Sequence, residues 1–530
     1  MANWWKETVV YQIYPRSFKD TNGDGVGDIY GIIEKLDYLQ DLGVGALWLS
    51  PVYQSPNEDN GYDISDYKKL NPDFGTMEEM EKLIAEAKNR GIRIIMDLVI
   101  NHTSSEHEWF KKSRENDEKY KDYYIWEKEP NNWTSFFGGT CWEYDEKRKE
   151  YYMHLFGKAQ PDLNYHNPHV IEEIKDVMRF WLDKGVGGFR CDAINVLYKS
   201  SLKNGKKRIM LTGSEFFLTQ QGTHDVLHEL NKEVLSHYDC FTVGETALIT
   251  PQQGKDLSDA KRGELDMVFT FDHMGADQFV VKWFPRKLRP KKFFKGIAKW
   301  ANELEWCANY LENHDQPRCV SRFGDEKKYH DESAKMLAVL LLTLKGTPFI
   351  YQGQEIGMTN YDFKSLDEIN DAETLSIIEL AKKLHIPEFY RWKMIKRGCR
   401  DHARTPMQWS SDKNGGFTKG TPWLKANKNY ADINAEVQTE DNDSILNFYK
   451  KLINMRSNSD ILKKGEFKTL KMTRKIFAYK RTFDGIGLTV VLNFTGRNLK
   501  NKFSGEVMLS NYKNSEAGIL RPYEALIIRN

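Results

Sequence analysis

Four segments of this sequence end an apolar run in residues able to do acid–base chemistry. Arg93–Val99 carries Asp97 and runs on to Asn101-His102, and Gly187–Cys191 leads into Asp192 two residues after Arg190. Cys240–Gly244 is followed by Glu245, and the run from Ala308 passes into Glu312-Asn313-His314-Asp315. Taken singly, an Asp after a strand is ordinarily a helix cap or turn former. Four such ends together share a chemistry. No His/Cys metal spacing and no glycine-rich phosphate loop accompanies them. Asp, Glu, Arg and His without a cofactor suit hydrolysis of a stable bond by a nucleophile and a general acid. Glycosidic cleavage needs such a carboxylate pair, one ionised and one protonated near neutral pH. Arg190 shares a strand face with Asp192, which should hold the Asp192 pKa down and leave Glu245 as the protonated partner. Cys191, between them, points the other way as inert packing.

These residues are useful only if something brings the strand ends together. Eight apolar runs read as strands: Val9–Tyr14, Ala46–Ser50, Arg93–Val99, Gly187–Cys191, Cys240–Gly244, Asp266–Phe271, Ala308–Leu311 and Thr347–Tyr351. Helical patterns lie between them, at Gly31–Leu42, Met77–Arg90, Val170–Lys184, Thr223–His237 and Ser333–Lys345. Strands apolar on both faces, alternating with helices at this count, predict an α/β fold, a parallel (β/α)8 TIM barrel, whose chemistry sits at the C-terminal strand ends. Residues 102–169, rich in Trp, Tyr, Gly and Asn, are too long for a barrel loop and read as an inserted subdomain after strand 3. Residues 360–430 form an irregular extension with a helix near Thr374–Leu384. From 461 the period changes to two, at Phe467–Met472, Ile476–Arg481, Leu488–Leu492, Glu506–Leu509 and Ala525–Ile528, predicting a C-terminal antiparallel β domain, a β-sandwich over 461–530. The barrel then comprises 1–101 and 170–460.

Composition narrows the partners. With 77 Lys and Arg against 76 Asp and Glu in 530 residues, the net charge is +1, so no electrostatic footprint for nucleic acid or an anionic membrane is present. No apolar run reaches the length of a membrane span and no leader pattern opens the chain, so a cytoplasmic protein is expected. Six scattered cysteines, without CxxC pairs, read as free thiols. The 14 Trp and 26 Tyr suit stacking on sugar rings as well as a large core. A small oligosaccharide is the expected partner; a monomer is favoured, although sequence does not determine the oligomeric state.

Taken in order, the motifs resemble the α-amylase superfamily of glycoside hydrolases, family thirteen, in its oligo-1,6-glucosidase and α-glucosidase branch. The resemblance rests on VYQIYPRSF at 10–18, DLVINHTS at 97–104, QPDLN at 160–164, GFRCDAIN at 188–195, VGET at 243–246, ENHDQPR at 312–318 and ARTPMQW at 403–409. It implies that Asp192 is the nucleophile, Glu245 the general acid and then base, and Asp315 the group that holds sugar hydroxyls in the transition state. It also implies that His102 and His314 bind hydroxyls and that Arg190 orients the nucleophile. Asp59 and Tyr62 match the floor of a pocket gripping a terminal glucose, with Arg404 pairing with Asp59 or the sugar to close it and Arg400 as a neighbour. A closed pocket implies exo action, and the pair implies a retaining mechanism.

Asp20-Thr-Asn22-Gly-Asp24-Gly25 resembles the first half of an EF-hand loop, although Gly31 stands where its bidentate Glu would be. The glucosidase branch has a Ca²⁺ loop here, with the Val26 carbonyl and Asp28 as further ligands. The expectation is a structural Ca²⁺, with Mg²⁺ as the alternative ion.

Within the family, trehalose-6-phosphate hydrolysis, sucrose hydrolysis and transglucosylation are alternatives, and a non-catalytic relative is a distant one that the intact triad disfavours. Sucrose isomerases carry an Arg-Leu-Asp-Arg-Asp loop where this chain has Ser321-Arg322-Phe323-Gly324-Asp325. The residue after the nucleophile, which tracks linkage in this branch as Val for α-1,6 cleavage, is Ala193. Mixed or α-1,4-tolerant activity is therefore expected.

Overall fold

Runs of β-branched and aromatic residues form the strands, and their register decides which side chains meet. In the computed structural model, which describes residues 3–208, 210–279, 281–514 and 516–529, eight strands make one parallel sheet. They are β1 (Val10–Ile13), β2 (Ala46–Leu49), β3 (Arg93–Val99), β4 (Gly188–Asp192), β5 (Phe241–Glu245), β6 (Met267–Phe269), β7 (Ala308–Asn309) and β8 (Thr347–Tyr351). Hydrogen-bonded pairing runs β6-β5-β4-β3-β2-β1-β8-β7. The remaining seam is spanned by side chains. Tyr310 Oη donates to Thr270 O at 3.2 Å, and the Phe269 and Tyr310 rings meet edge to face at 5.2 Å. The eight strands thus form a nearly closed barrel, with β6 and β7 shorter than their apolar runs.

The helices follow from capped amphipathic segments. Thr76 and Glu79 form a reciprocal capping box for Met77–Asn89. Asn167 caps Pro168–Asp183, whose Val170, Ile174, Val177, Met178 and Trp181 recur at helical spacing and are buried. The helix expected over Gly31–Leu42 is instead two, Ile29–Glu34 and Leu36–Leu42, meeting at Lys35. The first starts early because Asp28 caps it, accepting from Gly31 N at 2.6 Å. Gly31 is required by close approach: a Cβ there would lie 2.2 Å from Lys19 O.

Between β3 and β4, Trp126–Glu127, Glu150–Met153 and Trp142–Asp145 make a three-stranded antiparallel sheet. After β8, the extension carries helices Ala372–Lys383 and Glu388–Gly398 and returns to the barrel rim at Arg400.

At the C-terminus, β9 (Glu466–Met472), β10 (Ile476–Phe483), β11 (Ile486–Asn493), β12 (Glu506–Ser510) and β13 (Ala525–Arg529) form one antiparallel sheet in the order β9-β10-β11-β13-β12. The period of two here separates two apolar faces. Phe477, Tyr479, Val490 and Leu492 join the barrel core, with Phe477 stacked on Phe294 at 4.8 Å. Ile476, Ala478, Val491 and Leu526 form a separate cluster with Leu520 and Leu499. The second layer of the expected β-sandwich is, among the described residues, only the two-stranded ribbon of Leu499–Lys500 with Ile519–Leu520. The barrel itself covers the other face, so a second full sheet is unnecessary.

Two buried arginines, without carboxylate partners among the described residues, pin the junction between barrel and sheet, Arg481 from the sheet itself and Arg456 from the helix Ile445–Ser457 that precedes it. Arg456 donates to the carbonyls of Leu342 and Leu462 at 3.0 Å and of Gly346 at 2.6 Å. Arg481 donates to Thr343 O at 2.6 Å and Gly465 O at 2.7 Å. Truncating Arg456 strands these carbonyls away from water, so Arg456→Met should lower stability by about 3 kcal/mol, read by chemical denaturation. A loss below about 1 kcal/mol would refute this role.

Candidate active site

Register sets the first contact. β3 and β4 pair Asp97 with Arg190 and Val99 with Asp192, while β5 places Val243 beside Arg190 and ends in Glu245. The guanidinium of Arg190, 1% exposed, consequently faces three acids. Nη1 donates to Asp97 Oδ1 at 2.7 Å and Asp192 Oδ1 at 2.6 Å, and Nη2 to Glu245 Oε2 at 2.6 Å. Asp97 Oδ2 also accepts from Tyr62 Oη at 2.9 Å and Trp48 Nε1 at 3.1 Å. After Asp192 the chain turns through Ala193 at φ +42°, a left-handed conformation that directs its N–H to Glu245 Oε2 at 3.3 Å.

Asp315 lies in a different field. Its Oδ1 accepts from Arg404 Nη2 at 2.8 Å and Arg400 Nη1 at 3.4 Å, and Oδ2 is 3.2 Å from His314 Nε2. Gln12 Nε2 donates to His314 Nδ1 at 2.7 Å, and Tyr62 stacks on the same ring at 5.1 Å. Arg400 Nη2 reaches Asp59 Oδ1 at 2.9 Å and its Nε reaches Asp371 Oδ1 at 2.7 Å. The arginine pairing with Asp59 is thus Arg400, correcting the expectation for Arg404, which pairs with Asp315 instead. His102 Nε2 lies 3.0 Å from Tyr62 O, and Gln160 Nε2 donates to that carbonyl at 3.2 Å.

All the expected acids, histidines and arginines therefore gather at one rim, with Tyr62 and Asp59. Sequence reasoning noted Asp97 without a task, although a buried charge inside an apolar strand is itself a signal. Gln160 lay inside a quoted motif. Gln12 likewise lay inside the motif at 10–18, without a task; Asp371 and Lys199 gave no signal, since their partners are remote in sequence.

The electrostatics sort the acids. Burial raises Glu245 to about 7, with the Arg190 charge opposing and Asp192 and Asp315 adding to the rise. Asp192 is also raised: burial outweighs the opposing Arg190 charge, and Asp97 and Asp315 add to it. Arg190 does act to depress Asp192, as expected, but burial outweighs it and Asp97 and Asp315 add to the rise, so the net shift is upward. Asp315 is held well below the usual range despite burial, by His314, Arg400 and Arg404.

The loop near residue 20 is organised by its own side chains. Asp20 accepts from Gly23 N at 2.7 Å and Gly25 N at 2.8 Å, Asn22 from Asp24 N at 2.8 Å, and Asp24 from Val26 N at 2.8 Å. Its donor set is oxygen only, the class a hard cation takes, and two of these oxygens already accept two hydrogen bonds each, Asp20 Oδ2 from Gly25 N and Thr418 Oγ1 and Asp28 Oδ2 from Thr21 N and Oγ1. Among the described residues, the one trio of acids gathered within 4.8 Å is Glu172, Glu229 and Glu233. Lys175 Nζ lies 2.7, 2.5 and 2.5 Å from these three, so that group holds an ammonium.

Residues 12–465 match the alpha amylase catalytic domain. The chain is 48% identical to the oligo-1,6-glucosidase of Parageobacillus thermoglucosidasius and 49% identical to that of Halalkalibacterium halodurans, over 99% of each chain in both cases. The crystal structure of Bacillus licheniformis trehalose-6-phosphate hydrolase superposes with a TM-score of 0.94 at 41% identity, over 99% of both chains. The chain belongs to the alpha-amylase family and is a glycoside hydrolase. No helix among the described residues is long and apolar enough to cross a membrane.

The two raised acids predict a bell-shaped pH dependence of kcat/KM. With Glu245 as the expected general acid, activity should fall as pH rises through about 7. With Asp192 as the expected nucleophile, activity should fall as pH drops through its raised value, above the ordinary aspartate range. Glu245→Gln should remove the alkaline limb; an unchanged limb would exclude Glu245 as the acid.

Proposed function

We infer that this protein is an exo-acting, retaining α-glucosidase releasing glucose from the non-reducing end of short α-glucosides. The observation that carries this reading is the fork of Arg190, whose two terminal nitrogens hold Asp192 and Glu245 as neighbours. That supports the short spacing of roughly 5–5.5 Å used by retaining pairs, rather than the wider gap that admits a water between them.

Asp192 attacks the anomeric carbon while Glu245 protonates the departing glycosidic oxygen, so one C–O bond forms as another breaks. The acceptor leaves, and the resulting Glu245 carboxylate takes a proton from water. That water attacks the same carbon and expels Asp192, restoring both groups. Asp315, anionic between His314 and the two arginines, accepts hydrogen bonds from sugar hydroxyls as charge develops on the ring. His102 and His314 supply hydroxyl contacts, and Tyr62 lines the pocket beside Asp97 and His314. Arg404 orients Asp315. Arg400 closes the far wall by its ion pair with Asp59, which favours removal of one terminal sugar at a time.

Ala193 is the side chain nearest the nucleophile in sequence and the smallest with a Cβ, which leaves room beside the acceptor. Both α-1,6 and α-1,4 linkages are therefore substrates, since a pocket resolves a few methyl groups weakly. A sugar acceptor in place of water gives some transglucosylation. The six unpaired cysteines support a reducing cytoplasmic location.

Rates on isomaltose, maltose, sucrose and trehalose 6-phosphate test the substrate reading. Isomaltose and maltose should both be cleaved; preference for the phosphorylated sugar would overturn it. Asp192→Asn should reduce release of p-nitrophenol from its α-glucoside by at least about 10⁴-fold, with folding intact. Unchanged turnover would remove Asp192 as nucleophile.

We also propose that Asp20, Asn22, Asp24, Asp28 and the Val26 carbonyl hold Ca²⁺, or Mg²⁺ in its place, as a structural ion. The oxygen-bearing side chains at alternate positions 20, 22 and 24, with Asp28 beyond them, support this. Calcium should raise the denaturation temperature of EDTA-treated protein, and Asp24→Ala should cancel the rise. No rise in the native chain would refute the assignment.

A further inference from the structure

The loop that delivers Asp59 is the tip of a hairpin after β2, whose stems Tyr53–Gln54 and Asp66–Leu70 pair antiparallel. Within it, Asn57 at φ +66°, Asn60 at φ +52° and Gly61 at φ +102° are all left-handed. Few side chains other than Asn and Asp accept that conformation, so the tip is a backbone that needs holding. Two backbone bonds cross it, from Asn60 N to Asn57 O at 3.3 Å and from Tyr62 N to Asp59 O at 3.1 Å.

The firmer hold comes from a carboxylate inside the loop. Asp63 is fully buried. Its Oδ1 accepts from Asp59 N and Ser55 Oγ, both at 3.0 Å, and its Oδ2 accepts from Glu58 N at 2.9 Å. Ser55 Oγ in turn accepts from Asn57 N at 2.9 Å. The N–H groups of residues 57, 58 and 59 therefore turn onto one side chain, directly or through Ser55. Three donors converging on two oxygens call for a group that only accepts. An amide in its place would set an NH₂ against at least one of them.

With its N–H fixed in this way, Asp59 sends its carboxylate to Arg400 Nη2 at 2.9 Å and Gln160 Nε2 at 3.4 Å. Those contacts shut the far wall of the pocket. We propose that Asp63 is a positioning residue that folds the hairpin tip around its carboxylate, so that Asp59 meets Arg400 and the wall is closed against a terminal sugar. What the wall encloses rests on the α-glucosidase reading; the architecture of the loop does not. Burial pushes the Asp63 pKa up to about 6 and the Asp59 charge adds to the rise, while the opposing influences are the hydrogen bonds from Asp59, Glu58 and Ser55. A buried charge compensated by hydrogen bonds is tolerated only where its donors converge, so the carboxylate and the loop conformation stabilise one another.

Asp63→Asn should lower kcat/KM on p-nitrophenyl α-glucoside about 10-fold, mainly by raising KM, because the wall grips the sugar before and during reaction alike. In an Asp59→Ala background the same change should cost less than about 3-fold further, since the group it positions is already gone. An undiminished cost there would overturn the proposal. Amide hydrogen exchange over residues 57–62 gives a readout independent of turnover: it should quicken at least about 10-fold in Asp63→Asn, with the barrel strands unchanged. Unchanged exchange in that segment would equally overturn it. If Asp63→Asn does not fold, Ser55→Ala, which keeps the carboxylate and removes one of its donors, carries both measurements, with effects of about 3-fold in the same directions. If the wild type cleaves no α-glucoside, the functional reading falls and the exchange measurement still decides the loop.

Discussion

The centre of this molecule is one guanidinium with too many acids around it. Arg190 is buried, and it bonds Asp97, Asp192 and Glu245. A single positive charge cannot offset three negative ones in a medium that desolvates all of them. The arrangement is stable only if at least one acid keeps its proton near neutral pH. Asp97 has two further donors in Tyr62 and Trp48, while Glu245, at the end of its strand, has only Arg190 and a long bond from Ala193 N. The proton falls to Glu245, where the chemistry needs it. In the proposed mechanism, the acid–nucleophile division is a property of shared charge rather than of either carboxylate alone.

The second cluster works in the opposite sense. Asp315 meets two arginines and a histidine, Arg404 not shared with another acid and Arg400 shared with Asp59 and Asp371, and stays anionic though half-buried. Two half-buried carboxylates at strand ends thus differ in protonation because one competes for a cation and the other meets several. Arg400 links this anion to the pocket wall, and it is held by Asp371, the cap of Ala372–Lys383. The extension after β8 therefore completes a site whose reactive groups come from the barrel. The closed end of the pocket is assembled from chain more than 300 positions from Asp59.

The C-terminal sheet uses a related economy. It buries both faces, one on the barrel and one under a two-stranded ribbon. Arg456 and Arg481 bridge the junction through carbonyls rather than acids, so the barrel frame supporting β8 is fastened by neutral acceptors and carries no competing negative charge.

Local chemistry was legible in the sequence. Apolar runs marked all eight barrel strands, because a strand buried on both faces has little choice of residue, and the polar residues at their ends identified the acids, His102, His314 and Arg190. Spacing along a strand even placed Arg190 on the face of Asp192. What the tertiary structure alone decided was how partners remote in sequence share one another. Arg400 and Arg404 lie one helical turn apart, so nothing local distinguishes them; the path of the returning chain gives Asp59 to the first and Asp315 to the second. Arg190 and Asp192 read as a pair that would depress a pKa, and folding reversed that sign, because it added burial and two more acids to the same cation. Residue type and period determine where a charge sits on its own element; its net effect depends on every charge and every lost water around it, and those are set only when the strands close.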